Sequence, residues 1–92
     1  MTAYVVFQFN VVNVDKLSAY VGPALASVAQ YGGRMICTGE LSTLHLSTEF
    51  KQGTMLEFPD RASAQSWYDS PEYQKLIDLR TQAINGSVIL IG

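Results

Sequence analysis

His45 is the only histidine in the chain, and its side chain is the only one whose unperturbed pKa lies near neutrality. It could act as a general base toward a small substrate, or ligate haem iron, or simply belong to an extended arm between two strands. Arg80 sits on an otherwise apolar helical stripe. A guanidinium there must pair with an acid, stack on an aromatic ring or bind a carboxylate ligand. Glu57, Asp60 and Asp69 are the possible acid partners. Arg34 follows Gly32-Gly33 at the start of a strand, where it could contact an anion or be a solvated strand end. Trp67, Tyr68 and Tyr73 cluster around the junction of two helical segments. They could line a cleft for a planar ligand or lock the segments together as core. Together, Arg34, Trp67, Tyr68, Tyr73 and Arg80 are the candidate ligand-binding residues, and His45 is the one candidate catalytic residue.

Other chemistries lack the residues they need. No His/Cys/Asp/Glu group has metal-ligand spacing, so no metal is expected. No cofactor is called for either. Gly32-Gly33 leads from helix to strand, the reverse of the phosphate-loop order. Cys37 has no histidine or basic neighbour in sequence and reads as a small buried hydrophobe. Six Lys/Arg are scattered along a chain of net charge −2, which offers no basic face for nucleic acid. No apolar run approaches the roughly 20 residues of a spanning helix, so no membrane partner is expected. With no signal-like start and one cysteine, the chain reads as cytoplasmic.

The elements that must position these residues follow one another tightly along a single domain, residues 1–92. Residues 3–11 are β-branched and aromatic and read as a strand. Asp15 can cap the next helix, whose face comprises Leu17, Tyr20, Val21, Ala24, Leu25 and Val28. Gly22-Pro23 predicts a kink or short break, and Gly32-Gly33 a helix end. A second strand covers 34–40. Residues 41–52 suit an extended arm, and Gln52-Gly53 a turn into a third strand over 54–58. Asp60 caps a short helix holding Trp67 and Tyr68. Ser70-Pro71-Glu72 opens another, with a hydroxyl cap, proline at the first position and an acid near the positive end. Its stripe is Tyr73, Leu76, Ile77, Arg80, Ala83 and Ile84. Asn85-Gly86 is expected to end it before a last strand over 88–91.

That order, β-α-β-β-α-β, is the ferredoxin-like α+β arrangement: a four-stranded antiparallel sheet with both helical stretches on one face. The uncovered face should then be polar. Yet Val5, Phe7 and Phe9 alternate with Tyr4, Val6 and Gln8, while Val88 and Leu90 alternate with Ile89 and Ile91. Both faces carry apolar side chains. The chain is 48% apolar and only 15% charged, against about 25% charged in a typical domain. A second copy packed sheet to sheet is the simplest cover. Tyr4, Gln8 and Asn10 would then point into the space between subunits.

Glu57-Phe58-Pro59, then Ala62, Ala64 and Trp67-Tyr68-Asp69-Ser70-Pro71-Glu72-Tyr73, resemble a small bacterial family known as domain-of-unknown-function family 1330. Tyr20, Pro23 and Tyr31-Gly32-Gly33-Arg34 fit its first half, so the resemblance covers nearly the whole chain. It implies a dimeric α+β barrel, two ferredoxin-like subunits joined through their sheets. The wider superfamily includes small monooxygenases, isomerases, haem enzymes and binding proteins. Family members often carry an acidic-glycine turn between the second and third strands, where this chain has Leu44-His45-Leu46. Three functions follow as expectations. The first is binding of a small hydrophobic or anionic molecule. The second is a cofactor-independent enzyme, monooxygenase- or isomerase-like, acting on a small carbonyl compound. The third is an interaction module without ligand.

Overall fold

A computed structural model describes residues 1–92. Its strands are β1 (Ala3–Val11), β2 (Arg34–Glu40), β3 (Gln52–Phe58) and β4 (Ile84–Ile91). Its helices are α1 (Val14–Gln30), α2 (Arg61–Asp69), α3 (Pro71–Gln74) and α4 (Ile77–Ala83). The sheet order is β2-β3-β1-β4, antiparallel throughout. The fold is therefore α+β and ferredoxin-like, with all helices on one face. The shortest dimension, 17 Å, matches two packed layers.

Alternation along β1 and β3 builds the closed side. Val5, Phe7, Leu56 and Phe58 are buried and pack with Tyr20, Ala24 and Val28 of α1, Trp67 of α2 and Tyr73 of α3. The pairs Val5–Leu90 and Phe7–Val88 carry that layer across to β4.

Local chemistry sets the element ends, in several places differently from expectation. Asn13, not Asp15, caps α1: its extended backbone lets Oδ1 accept the Lys16 N–H at 3.0 Å. Asp15 lies two residues further on, within the first turn, where its charge suits the positive helix end. Gly22-Pro23 does not break α1, which runs unbroken through both. Ala19, Gly22 and Pro23 are all exposed, so the carbonyl that loses its partner faces water. Buried Tyr20 and Ala24 meanwhile hold the helix to the sheet. The end at Gly32 is as expected, with φ at +78°.

Gln52-Gly53 is not a turn. Both residues pair with β1 and β2, and the end of the β2–β3 ladder is closed by Leu41 N–H donating to the Lys51 carbonyl at 2.8 Å. Nor does Asn85-Gly86 end a helix, for β4 already begins at Ile84, and these residues pair with Asn10 and Phe9 of β1. A β-carbon on Gly86 would collide with the Gln8 carbonyl oxygen, so glycine is there for close backbone approach. The expected last helix is two pieces. Leu76 N–H bonds three residues back, to Tyr73, tightening the chain between α3 and α4. Asp60 and Ser70 cap α2 and α3 as expected, through the Ser63 and Tyr73 N–H groups.

The second face of the sheet has no cover within the chain. Tyr4, Val6 and Met55 are half-buried there, and Ile89 and Ile91 are exposed at 46% and 55%. Cys37 is exposed on this face rather than buried. It lies on the edge strand just after a bulge between Met35 and Cys37, which pairs it with Met55.

Candidate functional site

The apolar face of α1 stands off from β2 and β3 and leaves a pocket of about 230 Å³ between helix and sheet, open to solvent beside the exposed Val21, Met35 and Thr38. Its roof is the α1 stripe already legible in the sequence, Leu17, Tyr20, Val21, Ala24, Leu25 and Val28. The floor is Phe7, Phe9, Thr54 and Leu56, the β2 side is Met35 and Thr38, and Trp67 and Ile84 complete the lining. The lining contains no charged residue. A smaller cavity, about 170 Å³, lies on the other side of Trp67, between α2 and the β1–β4 pair, and is lined in part by Tyr68. Trp67 is thus the wall between the two. Its indole N–H donates to Ser27 Oγ at 3.0 Å, and Ser27 donates to the Ala24 carbonyl at 2.6 Å. The wall is therefore tied to the roof.

Behind the Tyr20 side of the roof runs a polar network. The Tyr20 and Tyr73 hydroxyls lie 2.7 Å apart. Arg80 Nη1 donates to the hydroxyls of Tyr73, at 3.0 Å, and Tyr68, at 3.2 Å. Its guanidinium carbon also lies 5.7 Å and 5.8 Å from the two ring centroids. Arg80 has no acid partner. Of the three carboxylates that might have served, Glu57 is taken by Arg34 at 3.0 Å in the molecule's one ion pair. Asp60 and Asp69 serve Ser63 and Gln65. Burial works against the charge on Arg80, but the hydrogen bonds to Tyr73 and Tyr68 outweigh it and raise the pKa. Burial, with Tyr73 beside it, pushes the Tyr20 hydroxyl well above the ordinary tyrosine range, so it stays protonated.

The candidate residues thus fall in different places. Trp67, Tyr68, Tyr73 and Arg80 come together, with Trp67–Tyr73 and Tyr68–Tyr73 ring centroids 4.3 Å and 5.3 Å apart. Only Trp67 of these lines the larger cavity. Arg34 is exposed at the edge of the sheet, held by Glu57. His45 is exposed in the 41–51 segment and lines none of the three main cavities. Asn10 pins that segment at its far end, donating to the Glu49 carbonyl and accepting from Lys51 N–H, both at 2.9 Å. Sequence reasoning did not single out Thr38 and Thr54. Their hydroxyls meet at 2.9 Å across the β2–β3 pair and are the polar groups on the sheet side of the cavity.

The sequence profile of the family described as "Domain of unknown function (DUF1330)" matches residues 2–92. No curated protein sequence matches the chain. Among solved structures, the RPA0582 protein of unknown function from Rhodopseudomonas palustris superposes with a TM-score of 0.77 at 13% identity, over 98% of this chain and 80% of that one. SnoaB, a cofactor-independent oxygenase from Streptomyces nogalater, gives 0.72 at 11% identity, over 99% and 91%. A dimeric ferredoxin-like protein of unknown function from Thermobifida fusca gives 0.68 at 9% identity, over 100% and 91%. At these identities the likeness is one of fold.

Proposed function

The chain belongs to the DUF1330 family, and from that premise we propose that it binds a small, mostly apolar molecule in the cavity between α1 and the sheet, as a homodimer joined through the open sheet face. One observation carries the binding reading. A pocket of about 230 Å³ lined almost wholly by apolar side chains runs in under α1 from the β2 edge of the sheet, where Val21 and Met35 are exposed at its mouth. An enclosed apolar space of about 150 Å³ already admits benzene. Dimerisation draws support from the exposed Ile89 and Ile91 beside Val6 and Met55, and from the T. fusca neighbour being described as dimeric. A place in the cytoplasm is part of the same proposal.

Trp67 is the wall of this site. Tyr73 and Tyr68 pack against its ring, with centroids 4.3 Å and 5.9 Å away, and Arg80 holds both of their hydroxyls. Ethylbenzene, followed by the chemical shift of the Trp67 indole N–H, is the direct test. We expect saturable binding that disappears in Ala24→Phe, whose ring fills the space. No shift at any concentration in the folded wild-type protein would remove the binding reading.

A second reading, a cofactor-independent enzyme, has the SnoaB fold likeness and the Tyr20–Tyr73–Arg80 network in its favour. The network supplies a hydrogen-bond donor beside the cavity. It does not supply a base: Tyr20 is the lining's only ionisable side chain, and burial keeps it protonated. Binding is therefore the better-supported function.

A further inference from the structure

We infer that the ligand of the α1–sheet cavity is a neutral, single-ring-sized molecule carrying one hydroxyl, which is met by the Thr38–Thr54 pair, and that anionic molecules are excluded from it. This rests on the binding reading above and narrows it.

The lining decides the charge. No cation reaches the cavity: Arg34 is engaged with Glu57 at the sheet edge, and Arg80 is engaged with the tyrosines behind the roof. A carboxylate carried in among these apolar side chains gives up hydration that no cation of the lining replaces. The two basic residues that first suggested an anion therefore do not serve this site.

The threonines decide the head group. Register places Thr38 opposite Thr54, and Thr54 opposite Phe7, so both threonines share the closed side of the sheet. Thr38 is exposed, so the pair sits at the open β2 end of the pocket; the two hydroxyls are 2.9 Å apart, and Thr38 Oγ1 lies 3.3 Å from the Gly53 carbonyl. If Thr38 donates to that carbonyl, Thr54 donates to Thr38, and the pair offers only lone pairs. If Thr38 instead donates to Thr54, the Thr54 proton is free for a ligand. A ketone suits only the second arrangement, whereas a hydroxyl can donate in the first and accept in the second. Tyr20 lines the roof rather than the threonine side, and its hydroxyl lies 2.7 Å from that of Tyr73 in the network behind the roof.

The test compares para-ethylphenol, ethylbenzene and para-ethylbenzoate near neutral pH, again through the Trp67 indole resonance. We expect para-ethylphenol to bind about fivefold more tightly than ethylbenzene, the worth of one neutral hydrogen bond. The benzoate should bind at least about tenfold more weakly than the phenol. In the Thr38→Val/Thr54→Val double variant the shape is kept, so ethylbenzene should bind as before while the phenol loses its advantage. Equal binding of phenol and hydrocarbon, a preference surviving in the double variant, or tighter binding of the benzoate would each overturn the inference while leaving an occupied cavity intact. Failure of all three probes, with the wild-type fold confirmed by its dispersed spectrum, would instead take down the binding reading and this inference with it.

Discussion

The two faces of the sheet are written with the same alternation of apolar side chains, yet only one has its cover in the chain. On the closed face, Val5, Phe7, Leu56 and Phe58 meet helices and are 6% exposed or less. On the open face, Val6 and Met55 are half-buried and Ile89 and Ile91 lie out in solvent. The faces differ also in how they treat polar groups. On the closed side every buried side-chain polar atom has a partner, and its two openings, one on each side of Trp67, are lined mainly by apolar side chains. The open side exposes Cys37 and leaves Arg34 and Glu57 to pair with each other at its margin. Apolar periodicity thus marks what must be buried, and the supply of covering elements determines whether the chain can do it alone.

The largest effect should come from breaking the closed face. Trp67 is 1% exposed and touches both cavities, the roof and the aromatic group around Tyr73. Trp67→Ala should destabilise the protein by about 3–5 kcal/mol in urea unfolding. It should also merge the two cavities and so weaken ligand discrimination. Breaking the open face should look different in kind. Ile89→Glu with Ile91→Glu should remove about 1.5–3 kcal/mol of burial per side chain from a sheet-to-sheet seam. The loss should appear as a dimer-to-monomer shift in light scattering while far-ultraviolet dichroism is unchanged. If the double variant remained dimeric, the seam would have to lie elsewhere. If the wild type were a soluble monomer at all concentrations, the open face would need some other cover.

Tyr73→Phe sharpens the contrast within the closed face. It leaves the packing and removes the hydroxyl that joins Tyr20 to Arg80. The buried Tyr20 hydroxyl then has no partner in the network, which should destabilise the protein by about 1–3 kcal/mol. Smaller still is the comparison at the start of α1. Asn13→Ala should destabilise by about 1 kcal/mol because it removes the cap to Lys16, whereas Asp15→Ala should have only a few tenths of that effect. Equal losses would mean that the helix start is held by charge rather than by the cap.

The sequence carried the element order because the caps, turns and alternation agreed at most boundaries, as at Asp60 and Ser70-Pro71. It misled where a turn-forming pair is really a cross-strand requirement. Gly86 is glycine because Gln8 and Phe9 pass beside it, and Gln52-Gly53 lies inside the ladder. Neither neighbour is near in sequence. The aromatic group was legible as a cluster because Trp67, Tyr68 and Tyr73 follow one another across two short helices, whereas Arg80 reaches it from α4 and its tyrosine partners, rather than an acid, emerge only in the fold. The cavity was only half legible. Its roof is the α1 stripe, but the Thr38–Thr54 pair exists only once the β2–β3 register, with its bulge, is known. In sequence, each threonine is simply a good strand former.

The smallest expected effect tests a cap at the rim of the closed face. Asp60 Oδ1 accepts the Ser63 N–H at 2.7 Å, and hydrogen bonding from Ser63 holds the carboxyl below the usual aspartate range. Because the folded-state pKa is the lower one, the charged cap favours folding fully above the unfolded-state pKa. That contribution fades as the pH falls through the unfolded value toward the folded one. Asp60→Asn keeps a side-chain oxygen that can cap α2 but does not titrate. Between about pH 6 and about pH 3, the urea midpoint of the wild type should therefore fall slightly further than that of the variant. Identical falls would mean that Asp60 caps α2 by shape alone, with its charge uncoupled from folding.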